Sequence, residues 1–454
     1  MHVCKQLLLT TLSAIALSAS ANWLVPEDLT GKVQTLSDAH QQFIESGTAI
    51  KVIPEQQLIH ALKTREPDAL ATMLDDLMGA AVEMGYLDTR DMGAAPLNLT
   101  TDEYRRLIVT PAELRKPKRD DGPFSTSRYL FPQSGVPTFG GARVAIWPED
   151  LTAGDVDVAI TGVTSNLSSG VRDASWAPDQ IRALNVLTTP DSRSLIKPFE
   201  ALTVVDYGNF GVDNMSAELS VPHLTEMIAE TAATSTIPFL VGGDTSILFS
   251  AAKGLAQHHG AQTFGYLHLS AHPDSEQQDD HTISDKSFMF QVLSQALVGS
   301  TDTVLVGLRG QSLNPSNLQW LSEQGVRYHT MADIRRRGID TVIQQLRRDL
   351  RRGPDRWFVS IDASVLAPSD MVAAGRIEAN GLAINEVTEA LRYACAETDL
   401  IGFAITDVAP MMDLSRLSLL HASSAINACL SGMALNKLHI DPEYVHPLAR
   451  TRGR

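Results

Sequence analysis

Residues 237–246 read Ile-Pro-Phe-Leu-Val-Gly-Gly-Asp-Thr-Ser. The apolar run through Val241 suits a short strand covered on both faces. Gly242 and Gly243 break it, and Asp244, Thr245 and Ser246 are residue types that open a helix. A helical stretch, 245–259, follows. Strand, polar turn and helix form the repeating unit of a parallel sheet. The unit recurs along the chain: β-rich apolar runs at 156–161, 202–207, 263–269, 303–307, 357–361 and 400–406 alternate with helical stretches at 221–233, 287–298, 339–351 and 385–395. The fold class expected is α/β, a doubly wound, mainly parallel sheet of about eight strands in three αβα layers.

Ligands of such sheets bind beyond the carboxyl ends of the strands, which directs attention to the polar residues just after each run. Three clusters lie there: GGDTS at 242–246, SAHPD at 270–274 and DASVLAP at 362–368. Carboxylates and an imidazole on neighbouring strand ends can converge on a divalent cation. Asp244, Asp274 and Asp362 also stand where helix caps and Asx turns stand.

Outside this α/β domain, assigned to 126–440, the chain has a different character. Residues 22–125 form a helical segment and linker, with Leu58, Leu62, Leu70, Met73, Leu74 and Leu77 recurring at spacings of three, four and eight. Three prolines, a glycine and a charge run mark 111–123 as the linker, and 441–454 is a tail. Residues 1–21 have a short basic start at Lys5, an apolar run over 7–17 and Ala19-Ser20-Ala21 before Asn22. That is the pattern of a secretory signal peptide, so export to a periplasmic or extracellular space is expected, with a cytoplasmic location as the alternative. No second apolar run approaches the ~20 residues of a membrane span.

Of 454 residues, 37 are Lys or Arg and 53 Asp or Glu, a formal charge of −16. That balance argues against a nucleic-acid partner. Cys4, Cys395 and Cys429 form no CxxC pair and no dense framework. Cys395 and Cys429 lie in apolar helical patterns and read as two separate buried thiols.

The three clusters, in this order, resemble those of the ureohydrolase family of arginases and agmatinases, which read Gly-Gly-Asp-His-Ser, Asp-Ala-His-x-Asp and Asp-x-Asp-x-x-Asp-Pro. Other pieces agree. Thr138-Phe139-Gly140 followed by Ala159-Ile-Thr-Gly-Val163 is similar to the opening segment of agmatinases, as is Tyr266-Leu-His-Leu269 to the strand before the second cluster. Val306-Gly-Leu-Arg-Gly310, Gly381-Leu382 with Glu386, and Asp407-Val-Ala-Pro410 resemble the family's later elements. The resemblance covers roughly residues 130–435 and omits the leading helical segment. It implies an arginase-like fold, an oligomer, and hydrolysis of a guanidino carbon–nitrogen bond to release urea. Two manganese ions that bridge a hydroxide would supply the nucleophile.

The resemblance also implies where six metal ligands would fall: Thr245, Ser270, His272, Asp274, Asp362 and Ser364. Only His272, Asp274 and Asp362 keep a ligand type. The family's four aspartates offset two divalent ions; two aspartates cannot, and neutral hydroxyls replace them poorly. An intact two-manganese centre is not expected. One divalent ion, manganese favoured, on His272, Asp274 and Asp362 is the cofactor these residues would hold. Asp244, Glu276, Asp279, Asp280 and His281 flank the clusters; one of them could swing in as a substitute ligand, although 279–281 also reads as a solvated loop.

Two substrate-binding positions are implied as well. Asp285 stands at the family's proton-transfer histidine, where a carboxylate could hold a cationic amine but suits proton transfer at neutral pH poorly. Glu386 stands at the carboxylate that clamps the guanidinium fork; as a first-turn acid of helix 385–395 it also has a purely helical reading. Three readings follow. The chain is a relative with weak or lost hydrolysis that binds a guanidino or amine molecule, or joins a homo-oligomer or an active relative. Alternatively it is a divergent one-metal hydrolase acting on an agmatine-like substrate. The third is a hydrolase using Ser270 or Ser364 with His272.

Overall fold

The computed structural model describes residues 23–84, 119–126, 136–168, 173–213, 216–277, 283–311 and 313–450. The expected signal peptide, most of the linker, and Asp279, Asp280 and His281 lie outside the described residues. The chain divides into two compact units, Met1–Arg119 and Asp120–Arg454.

In the first unit, five helices are described: α1 (Glu27–Val33), α2 (Asp38–Glu45), α3 (Ala49–Val52), α4 (Glu55–Thr64) and α5 (Pro67–Met84). The periodic residues Leu58, Leu62, Leu70, Met73, Leu74 and Leu77 are all fully buried in its core, with Trp23, Phe43 and Ile44 beside them. Ser37 caps α2 by accepting from the His40 amide, and His40 Nε2 meets Asp75 at 2.9 Å, which ties α2 to α5.

The second unit is built on a parallel sheet of nine strands. In chain order they are β1 (Arg143–Val144), β2 (Val158–Val163), β3 (Val204–Phe210), β4 (Ile237–Val241), β5 (Gly265–Leu269), β6 (Thr303–Leu308), β7 (Arg327–Thr330), β8 (Arg356–Asp362) and β9 (Asp399–Thr406). Their order across the sheet is β1-β3-β2-β4-β9-β8-β5-β6-β7, and every pairing is parallel. The seven runs read from sequence all became strands. The two additions are the edge strands β1 and β7. One has two residues, and the other, Arg-Tyr-His-Thr, is too polar to stand out as an apolar run.

Helices cover both faces. On one face are α6 (Ala177–Leu184), α10 (Ile339–Arg352), α11 (Ile384–Glu397) and α12 (Leu417–Lys437). On the other are α7 (Ala217–Ala233), α8 (Ile247–His259) and α9 (Phe288–Ser294). Alternate strand residues feed the two cores: Phe239, Val241, Leu267, Leu269, Val359 and Ile361 face the first, Leu240, Tyr266 and Phe358 the second. Burial on both faces is why these strands are mostly apolar along their length.

Helix α12 was read from the sequence only as an apolar helical pattern around Cys429, without its extent. It is buried nearly all round, with Ala422, Ala425, Cys429, Gly432 and Ala434 among its buried residues, so it shows no polar stripe. It lies against α11, and Cys395 and Cys429 are joined by a disulfide with a Cα–Cα distance of 5.2 Å. This corrects the expectation of two separate thiols: each cysteine sits on the inner face of its own helix, and no spacing rule brings 395 to 429. Gly432 permits the close approach. A Cβ there would stand 2.4 Å from the Arg392 carbonyl oxygen and 3.0 Å from Cys395 Cβ. Gly432→Ala is expected to cost about 1–3 kcal/mol by overpacking, read as a lower urea midpoint.

The tail is also anchored. Glu443 accepts from Tyr393 Oη at 2.8 Å and the Pro442 carbonyl accepts from Arg392 Nη1 at 2.5 Å.

Candidate functional site

Four adjacent strands, β4, β9, β8 and β5, form the centre of the sheet, and their carboxyl ends carry every cluster picked out above. The ends are stitched together by the main chain. The Gly242 amide donates to the Ile405 carbonyl at 2.9 Å and the Asp407 amide to the Gly243 carbonyl at 2.8 Å. Asp274 and Asp407 have positive φ, 48° and 62°, a conformation that non-glycine residues adopt only where surrounding contacts impose it.

Asp362 ends β8. Its Oδ1 accepts from the Ser364 amide at 2.8 Å and its Oδ2 from Thr245 Oγ1 at 2.5 Å. Asp244 is turned to another task. It accepts from the Ser246 amide and hydroxyl, and from the Ser168 amide and hydroxyl at 3.1 and 2.7 Å, so it caps its own turn.

The cation at the middle of the cluster is a residue to which the sequence assigned no role. Arg376 lies on the loop between β8 and α11, with its side chain 13 % exposed. Its Nη1 donates to Asp274 Oδ1 at 2.7 Å and Nη2 to Asp274 Oδ2 at 3.3 Å and to Asp362 Oδ2 at 3.0 Å. Nε stands 3.3 Å from Asp285 Oδ2 and 3.9 Å from Asp407 Oδ2, and the Arg376 amide donates to Asp407 Oδ2 at 2.9 Å.

The loop is held firmly. Its base is closed by the Ala367 amide on the Leu382 carbonyl and the Leu382 amide on the Val365 carbonyl, at 2.8 and 3.0 Å. Arg309, the residue after β6, donates to the carbonyls of Ser364, Leu366, Glu378 and Ala379 at 2.6–3.1 Å. The Gly375 amide donates to the Asp407 carbonyl.

This geometry sets the charges. Burial opposes ionisation of Arg376, but Asp274 and Asp362 outweigh it and hold the guanidinium well above the ordinary arginine value. Burial likewise opposes ionisation of Asp274 and Asp362, and the Arg376 charge outweighs it, holding both below the usual carboxylate range. Two carboxylates are left outside this balance. Burial pushes Asp285 up to about 7 against the pull of Arg376, and Asp274 adds to the rise. Burial, with Asp362 next in effect, lifts Asp407 well above the usual value.

His272 is brought beside the cluster. Its Nδ1 is 3.3 Å from Ser364 Oγ, and its Nε2 is 3.7 Å from Glu378 Oε1, beyond hydrogen-bonding range. Burial and then Arg376 lower its pKa. Ser364 is fully buried, and Ser270 Oγ accepts from the His272 amide at 3.0 Å. A further buried chain runs behind: Tyr266 Oη and His268 Nδ1 both meet Ser360 Oγ, at 2.9 and 2.7 Å, and His268 Nε2 is 3.7 Å from Asp274 Oδ2.

Of the residues chosen from sequence, Asp274, Asp362 and Asp285 thus share one guanidinium, and His272 borders them. Glu386 is engaged elsewhere: its Oε2 accepts from the Ala383 amide at 2.8 Å as the cap of α11, and its Oε1 is 3.5 Å from Arg335. Among the described residues, no group of three His, Cys, Asp or Glu side chains is arranged to hold a metal ion. A depression of about 160 Å³, lined by Pro273, Asp274, Glu276, Lys286 and Asn317, opens beside the cluster. No helix among the described residues is long and apolar enough to cross a membrane.

Comparison with known proteins sets this site in context. The chain is 26% identical over 274 residues to mitochondrial agmatinase of Gallus gallus, which covers 59% of this chain and 78% of that protein. It is 25% identical over 290 residues to guanidinobutyrase of Pseudomonas aeruginosa, covering 61% and 88%. Among solved structures, proclavaminate amidino hydrolase from Streptomyces clavuligerus superposes with a TM-score of 0.59 at 21% identity, covering 67% of this chain and 98% of that one. The family model described as "Arginase family" matches residues 156–431, which holds eight of the nine strands and all of the strand ends described above. On that match the chain belongs to the arginase family.

Proposed function

We propose that this chain is an arginase-family protein without appreciable guanidine hydrolysis, its centre closed by its own Arg376. The observation that supports the reading is the guanidinium fork on Asp274 and Asp362, the two carboxylates that would otherwise carry a metal. All four of their oxygens already accept: two from Arg376 on Asp274, and Ser364, Thr245 and Arg376 on Asp362. A divalent ion needs carboxylate oxygens at about 2.0–2.2 Å, and it would meet the positive guanidinium in the same space. His272 could add one neutral nitrogen, which does not offset that repulsion. The donor set as arranged does not fit manganese, either one ion or two, and no hydrolytic step is derived through it.

Ser364 and Ser270, beside His272, are both fully buried, and nothing in the arrangement supports the serine-nucleophile reading. The proposed role is therefore that of a non-catalytic subunit, in a homo-oligomer or beside an active relative. Export belongs to the proposal too. The Cys395–Cys429 disulfide supports it, because such bonds persist in oxidising compartments.

The test is manganese stoichiometry of the full chain purified without chelator, together with urea release from agmatine and 4-guanidinobutyrate. Values near zero in both assays are expected. Manganese near one or two per chain, with urea release abolished in Asp362→Ala, would sink the proposal.

A further inference from the structure

The non-catalytic reading says what the centre lacks; the contacts of Arg376 also say what the centre is built to hold. The cage presents acceptors to a planar fork. Asp274 accepts from both Nη atoms, Asp362 Oδ2 takes a second bond from Nη2, the Asp285 carbonyl takes one from Nη1 at 3.3 Å, and the Asp285 carboxylate stands at 3.3 Å from Nε. Two parallel bonds to one carboxylate are the geometry by which carboxylates recognise guanidinium, and a compact ammonium cannot reproduce them.

A second observation is independent of these bonds. Asp407 is fully buried; its Oδ2 faces Arg376, and its Oδ1 has no hydrogen-bond partner among the described residues. It lies 2.3 Å from where a Cβ on Gly375 would be, so a side chain at 375 would push Asp407 away.

We propose that the cage formed by Asp274, Asp362, Asp285 and Asp407 is a guanidinium-binding site occupied in cis, with Arg376 as its resident ligand, and that a free alkylguanidinium takes its place when that side chain is removed. The inference rests on the closed-centre reading above. It goes further by assigning the cage a ligand class of its own, delocalised planar cations rather than metal ions.

The experiment uses full-length Arg376→Ala, with ethylguanidinium as the probe and ethylammonium and manganese as comparisons at matched ionic strength. Arg348→Ala, an exposed arginine on α10, controls for loss of a surface charge. Arg376→Ala should melt on the order of 5 °C below the wild type. Millimolar ethylguanidinium should recover at least half of that fall, as expected for a ligand that binds only the folded state. The wild type and Arg348→Ala should not respond, and ethylammonium should have little effect.

No recovery, equal recovery with ethylammonium, or a greater rise with manganese would overturn the inference. Should Arg376→Ala fail to fold, Arg376→Lys decides: it keeps the charge and loses the fork, so it should melt below the wild type, and an unchanged melting temperature would overturn the inference. The two readings fail separately. Manganese and urea release in the wild type would sink the closed-centre reading, whereas absent rescue with a metal-free, inactive wild type would sink only the guanidinium cage.

Discussion

Arg376→Met is expected to destabilise the larger unit by about 3–5 kcal/mol, the scale seen when one partner of a buried ion network is removed. The loss comes mainly from what remains. Asp274 and Asp362 are 3 % and 0 % exposed; without the guanidinium, Asp362 keeps one hydroxyl and one amide donor, and Asp274 has only His268 Nε2 beside it at 3.7 Å. A triple variant that adds Asp274→Asn and Asp362→Asn should recover part of that loss, because the sites share one network and their effects do not add. Urea denaturation followed by intrinsic fluorescence measures both. A loss under ~1 kcal/mol for Arg376→Met would place the pair among weak surface bridges and remove the physical basis of the closed centre.

Substituting both Cys395 and Cys429 by alanine is the second large effect. The bond joins residues separated by 34 in sequence. Chain-entropy reasoning for a loop of this size gives a loss of about 4 kcal/mol, before any relaxation of the two helices. The loop contains the whole of β9 and Asp407, so the unfolded chain gains freedom in the segment that forms one wall of the centre. The expected readout is a wild-type denaturation curve that moves to the double variant's position in strong reductant, while the variant's own curve stays where it was. Identical wild-type curves with and without reductant, with the thiols shown to be reduced, would refute the estimate.

Much of the fold could be read directly because the signals were local. Runs such as Ile237–Val241 and 304–308 carry no polar side chain because helices cover both faces. The edge strands escaped, and α12 was seen only as an apolar pattern around Cys429, for opposite reasons. Arg327–Thr330 is paired on one side only and carries polar residues, whereas α12 is enclosed and shows no amphipathic period. The centre was half legible. Asp274 and Asp362 were singled out by their places after strands, and Asp285 by the family resemblance. Arg376 was not, because it lies in a stretch with no motif, 14 residues beyond Asp362, and only the closure of that loop at Leu366 and Leu382 carries it back over the strand ends. Glu386 illustrates the limit of position alone: the same first-turn placement that suits a clamp suits a helix cap, and its bonds run to Ala383 and Arg335.

The tether between Arg376 and the strand ends has a consequence for how the protein matures. A metal centre must be loaded from a pool, and its occupancy then follows supply, competition and chelation. Here the counter-charge arrives with the polypeptide. Its local concentration is fixed by a short closed loop rather than by the surroundings. On the proposed reading, a chain exported unfolded into a medium poor in transition metals would complete this centre in the act of folding. Once folded, it would be indifferent to the scavengers that strip a loaded enzyme.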